Sequence, residues 1–183
     1  MSSTPRQGFD PTHDAITSAF TALEAEARAG RIGGYGVATW TGFEDTFSVA
    51  DLLGAATRCG GPGHHLTAIQ LPVSLVMLKP AAQALDGAGP LAEATAAGLE
   101  TFVSAPLHGG ELPAMVTDEL ARLIAPGATP AEAALRVTAS TPGVKRVILG
   151  SGRARHWEAA QRALALPSLP AKILHEVIDV LGA

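Results

Sequence analysis

The residues best placed for chemistry lie near the end of the chain, where Gly150, Ser151 and Gly152 run into Arg153 and Arg155. A glycine-rich turn that opens a helix turns backbone N–H groups and the positive end of the helix dipole toward one point. Two guanidinium groups beside that point can grip a phosphate through charge-assisted hydrogen bonds. The turn therefore reads as a candidate anion site, against the plainer alternative of a solvated turn with two surface arginines. Gln70, inside an apolar run, can both donate and accept hydrogen bonds, toward a ligand amide or a neighbouring backbone group. Trp40 offers a face for stacking or simply packs at the end of a strand. His108 sits in a loop, PLHGGEL, and reads as an ordinary loop histidine. His64 and His65 follow GGPG with no third ligand at metal spacing, so no metal is expected. The one cysteine, Cys59, can form no internal disulfide.

Positioning those residues requires an alternation of helix and strand. Ile16, Phe20, Leu23 and Ala27 recur at helical spacing between Pro11 and Gly30. A strand is expected over Ile32 to Thr39, then a helix from Ser48 to Gly60 and a second strand from Leu66 to Leu71. After an irregular stretch come a helix from Pro90 to Ala97 and a strand from Thr101 to Ala105. Helices are then expected over Pro113 to Ala125 and Thr129 to Ser140, the latter opened by a capping box of Thr129 and Glu132 with Pro130 between. A fourth strand from Val144 to Leu149 precedes helices from Ala154 to Ala165 and from Pro170 to Leu181. Three strand intervals that each enclose helix give the period of parallel βα units. Periodicity alone leaves open a small doubly wound sheet or half of a (β/α)8 barrel; in either, functional groups belong at the C-terminal ends of the strands.

Composition narrows the partners. The chain has 183 residues, 47% of them hydrophobic, which is enough for one domain spanning 1–183. A net charge of −4 with scattered Lys and Arg predicts no nucleic-acid partner. No run approaches the roughly 20 apolar residues of a membrane span. The first residues, MSSTPRQGFD, carry no apolar export signal, so a cytoplasmic protein is expected.

Read in order, the strand ends resemble the second half of the aldo/keto reductase family. LEAEARAGRIGGYGVATW (Leu23 to Trp40) is similar to its helix, Gly-Lys/Arg-Ile step and Gly-Val-Ser-Asn; Gln70 in AIQLP stands where the family has its strand-six Gln. Ser104 to Leu112 (SAPLHGGEL) resembles its Ser-Pro-Leu loop, and TPAEAALR with PGVKRVILGSG resembles the helix and strand that end at the cofactor phosphate. The resemblance spans about residues 15 to 165 and implies half of a (β/α)8 TIM barrel, equivalent to strands five to eight. It implies NADP(H) at a weak or partial site formed by Thr39, Gln70, Ser104, Leu107, Gly150, Ser151, Gly152, Arg153 and Arg155, with the 2′-phosphate at the last five. Ala38 and Thr39 replace the family's Ser-Asn pair, so the nicotinamide end is reduced. The Asp, Tyr, Lys and His tetrad that reduces a carbonyl lies on the family's first four strands, so no catalytic residue is assigned here. Tyr35 falls inside a strand, and His13, near where the tetrad His would be, reads as a surface residue. Three functions remain open: a truncated or split NADP-dependent oxidoreductase acting on a small carbonyl substrate when a complementary half-barrel chain completes it, a non-redox binding or assembly protein, or a self-associating half-barrel homodimer.

Overall fold

A computed structural model describes residues 11–182, with side chains from 13 onward; the N-terminal stretch read for an export signal lies outside them. The described residues divide into two compact units, residues 11–35 with 50–66, and residues 36–49 with 67–182.

The first unit is built on helices α1 (Pro11–Arg28) and α3 (Val49–Gly60). Helix α1 buries Phe20, Glu24 and Ala27. Of these only the phenylalanine and alanine belong to the expected apolar stripe; the carboxylate between them shares their face because residues three and four apart on a helix are neighbours. The Phe20 and Tyr35 rings pack with centroids 4.9 Å apart. Arg28 Nη2 donates to the Cys59 carbonyl at 3.1 Å, tying α1 to the end of α3.

The second unit holds a parallel sheet in the order β1-β2-β3-β4, from β1 (Tyr35–Ala38), β2 (Leu66–Pro72), β3 (Glu100–Ser104) and β4 (Arg146–Val147); β1 and β2 each leave their first residue in the other unit. The register sets Gln70 beside Phe102 and Phe102 beside Arg146. Alternation along the strands separates two faces. Ile69, Leu71, Thr101 and Val103 are buried on one. Gly36, Ala38, Ala68, Gln70, Phe102 and Ile148 border a shallow hollow of about 310 Å3 on the other, where Ile148 stays 42% exposed. Glycine is required at 36, since a Cβ there would meet the Ala68 carbonyl oxygen at 2.8 Å.

The expected order of elements stands, with local departures. Strand β4 is two residues long instead of six, although bonds from Lys145 N to Thr101 O and from Ile148 N to Val103 O continue its pairing. Strand β1 starts at Tyr35, after Gly33 and Gly34, which offer a sheet no side chain to pack. The stretch read as irregular contains helix α4 (Lys79–Leu85), with Pro80 in its first turn, before α5 (Gly89–Ala96). The helix expected over 113–125 is two, α6 (Leu112–Met115) and α7 (Asp118–Ile124). Val116 is extended between them, and Thr117 caps the second by accepting from Leu120 N at 3.2 Å. Helix α8 (Pro130–Ser140) opens with the expected capping box, and α9 (Ala154–Ala165) and α10 (Ala171–Leu181) complete the unit, with α2 (Gly42–Asp45) a single turn after β1. Among the described residues no helix is long and apolar enough to cross a membrane.

Candidate functional site

The C-terminal ends of β3 and β4 meet at a cavity of about 600 Å3. On one side runs the segment after β3, where Ala105 and His108 adopt left-handed backbone (φ 52° and 46°) and Gly109 and Gly110 follow at positive φ. Two non-glycine residues in that region cost on the order of 1–3 kcal/mol each, so the surrounding structure must hold them there. On the other side lie Leu149, Gly150 and Ser151 after β4, and then α9, which presents His156, Ala159 and Ala160 to the same space.

The turn is fastened to the first residues of α9 by its own side chains. Ser151 Oγ and His156 Nδ1 lie 3.0 Å apart, the Arg153 amide donates to Ser151 Oγ at 3.3 Å, and the Trp157 indole N–H donates to the Ser151 carbonyl at 2.9 Å. One backbone donor expected to be free for an anion, that of Arg153, is therefore satisfied within the turn. The Arg153 and Arg155 side chains are exposed, and no ion pair holds either among the described residues. Glu132, on the α8 wall of the cavity, is held below the usual carboxylate range by the Thr129 amide against the opposing effect of burial, with help from the Thr129 hydroxyl and from Arg162, 3.4 Å away. Its negative charge is thus countered before any ligand arrives.

Of the residues singled out in the sequence, Leu107, Gly150 and Ser151 line this cavity, and Gly152, Arg153 and Arg155 continue from it along the chain. The rest stand elsewhere. Gln70 borders the hollow on the open sheet face, with its backbone carbonyl accepting from Thr39 N at 3.0 Å. Thr39 Oγ1 accepts from Gly42 N at 2.8 Å, so the hydroxyl counted as a shortened ligand contact is spent on starting α2. Ser104 ends β3, half-buried, with its carbonyl accepting from Val73 N. Trp40 is 55% exposed rather than packed. His108 carries a buried Nδ1 with no hydrogen-bond partner.

The sequence reading missed His156 and Glu132 at the cavity and Trp157 behind the Ser151 turn, and it missed a polar cluster in the first unit. There the Glu24 carboxylate, fully buried, accepts from Tyr35 Oη (2.9 Å) and the His65 amide (2.7 Å), and lies 2.9 Å from His65 Nδ1. Burial pushes this carboxyl up, but the hydrogen bonds from His65 and Tyr35 outweigh it and hold the group at about 2. Burial and the Glu24 contact raise Tyr35 well above the usual phenol value, and its hydroxyl donates to the Glu24 carboxylate. The signal for Glu24 was present: it lies four residues after Phe20 and three before Ala27. Among the described residues no group of three His, Cys, Asp or Glu gathers at metal-binding distance.

No protein-family model matches the chain, and the curated proteins return no match. Solved structures do. An aldo-keto reductase from Klebsiella pneumoniae in complex with NADPH superposes with a TM-score of 0.66 at 20% identity, over 91% of this chain and 54% of that one. The glycerol dehydrogenase from Gluconobacter oxydans gives 0.68 at 17% identity, over 91% and 54%. A thermostable aldo-keto reductase solved with the inhibitor epalrestat gives 0.65 at 19%, over 91% and 55%. At these identities the likeness is one of fold: four parallel βα units with the architecture of the aldo-keto reductase barrel. The chain spans about half the length of the solved proteins it matches.

Proposed function

We propose that this chain is an aldo-keto-reductase-like half-barrel whose retained function is to bind the phosphate-bearing end of NADP(H), with carbonyl reduction arising only when a complementary half supplies the Asp, Tyr, Lys and His tetrad. The observation that carries this reading is the 600 Å3 cavity bordered by Leu107, Gly150 and Ser151 and followed by two unpaired arginines. Its volume falls in the range of small-molecule sites. Leu149, Ala159 and Ala160 give an apolar wall suited to an adenine ring, and Arg153 and Arg155 supply charge for a phosphate. That end fits the cofactor.

The nicotinamide end fits poorly. Ala38 has no polar side chain, the Thr39 hydroxyl is engaged by Gly42, and Gln70 stands alone on the open sheet face. NADPH, when bound, supplies a hydride; this chain's own residues orient the phosphates and the adenosine. Within the first unit, Tyr35 is committed to Glu24 and His13 is a half-buried residue of α1, so neither is offered as the missing proton donor.

Calorimetry with 2′,5′-ADP, NADPH and NADH tests the reading. The first two should bind with similar affinity and both more tightly than NADH. Each charge-assisted arginine contact is worth on the order of 1.5–3 kcal/mol. Changing Arg153 and Arg155 together to Ala should thus weaken 2′,5′-ADP at least about tenfold, even after solvent screening. Equal affinities for the two proteins would reduce the arginines to surface charges. Absence of binding to either would favour the second reading, a non-redox assembly protein that uses its open sheet face to pair with another copy or a complementary chain.

A further inference from the structure

A second cavity, of about 320 Å3, lies at the C-terminal ends of β1 and β2, and its lining shares no residue with the proposed cofactor site. Its walls are aromatic and apolar: Trp40, Phe43 and Met77, with Leu71 and three prolines behind them. Two oppositely charged side chains also border it, Glu44 from α2 and Lys79 from the start of α4. Neither makes an ion pair or side-chain hydrogen bond among the described residues, although both line the same space. The tryptophan is 55% exposed and the neighbouring Val76 48% exposed, so apolar surface faces water at this cavity.

We infer that this cavity is a binding site for a small zwitterion with an aromatic or apolar body, of the α-amino-acid class. The charge pattern carries the choice. An uncharged apolar ligand would leave both ions without a partner, an anion would face Glu44, and a cation would face Lys79. A ligand carrying ammonium and carboxylate on one carbon meets both, while its side chain covers Trp40 and Met77. An exposed indole is the strongest aromatic partner for an ammonium and also a stacking surface for a ring. The volume admits a phenylalanine-sized molecule, at the lower end of the range for small-molecule sites. The position, at the strand ends where such folds carry their ligands, agrees with this. The site is independent of the nucleotide cavity, so neither proposal needs the other.

Calorimetry on the whole chain with three probes of one shape separates the contributions: L-phenylalanine, 3-phenylpropanoate and 2-phenylethylamine. Phenylalanine should bind about two- to fivefold more tightly than either singly charged probe, since each exposed charge contact contributes up to about fivefold. Lys79→Gln should bring phenylalanine down toward the level of the amine, while the amine itself, relieved of a like charge, should bind at least as tightly as before. Glu44→Gln should bring phenylalanine down to the level of the acid, and Trp40→Leu should weaken all three. Both charged residues are exposed and unpaired, so matching melting curves for their variants are expected and confirm folded protein. The inference is overturned if none of the three probes binds, if phenylalanine binds no better than the acid or the amine, or if Lys79→Gln and Glu44→Gln leave its affinity unchanged.

Discussion

Replacing Glu24 with Gln keeps the shape of the side chain and removes its charge, and the structure sets the expected cost. In the folded chain the carboxyl is held at about 2, against an ordinary value of 4.5, by donors from His65 and Tyr35. A carboxyl lowered that far on folding is worth about 3 kcal/mol at neutral pH, since each pKa unit corresponds to about 1.4 kcal/mol. The sign follows from the direction. Because the folded value is the lower one, the stabilisation is fully present above pH 4.5 and is lost as pH falls toward 2. Glu24→Gln should therefore be less stable than wild type by about 3 kcal/mol at pH 7 in urea titrations. The gap should shrink through pH 4 and nearly close by pH 2. Taking the difference between the two proteins at each pH cancels the other carboxylates, Glu26 and Glu132 among them, that also sit below their usual range. A gap of the same size at pH 7 and pH 3 would refute the reasoning, because it would mean that the carboxylate's charge contributes nothing and the loss is one of packing.

Gly60→Ala should destabilise the same unit, since a Cβ there would sit 2.6 Å from Glu24 Cδ, a group held in place by its three hydrogen bonds; a melting temperature unchanged from wild type would show that the cluster yields. Thr117→Ala removes the side chain that accepts from Leu120 N at the start of α7 and should cost about 1 kcal/mol in chemical denaturation. The chain alone should reduce no aldehyde or ketone with NADPH, measured by absorbance at the cofactor's reduced band, because Tyr35 is engaged by Glu24; turnover abolished by a substitution in this chain would reveal another proton donor. The open sheet face with Phe102 and Ile148 should drive association, so light scattering should report a mass above 18.6 kDa, and a monodisperse species at that mass with a cooperative melt would contradict it.

Elements with strong local signals were legible. The capping box at Thr129 and Glu132 fixed the start of α8, and glycines after periodic apolar residues marked the ends of α1 and α3. The failures have physical causes. The extra helix α4 was hidden because its proline and small apolar residues, MLKPAAQAL, lack a polar face against which a helical period shows. Strand β4 was read too long because an apolar run signals burial without stating how many residues pair. At the larger cavity the glycine-rich turn and the Leu107 loop could be placed from residue types, since both depend on local backbone demands. His156 and Trp157 could not, because their partner, Ser151, is reached only once the turn has folded back on the helix. Thr39 misled for the same reason: its hydroxyl is claimed by an amide three residues along, and composition does not reveal such competition.

The left-handed backbone at Ala105 and His108 makes the wall of the larger cavity a sprung segment. Glycine would relax both positions at no steric cost, yet side chains stand there, one of them a histidine with a ring nitrogen shut away from any partner. Energy held in this way is released by local opening, so the amides of residues 105–110 should exchange with deuterated water sooner than those of β3 just before them. A nucleotide seated against Leu107 would oppose that opening, and the protection it confers would then report occupancy directly, without any turnover to measure.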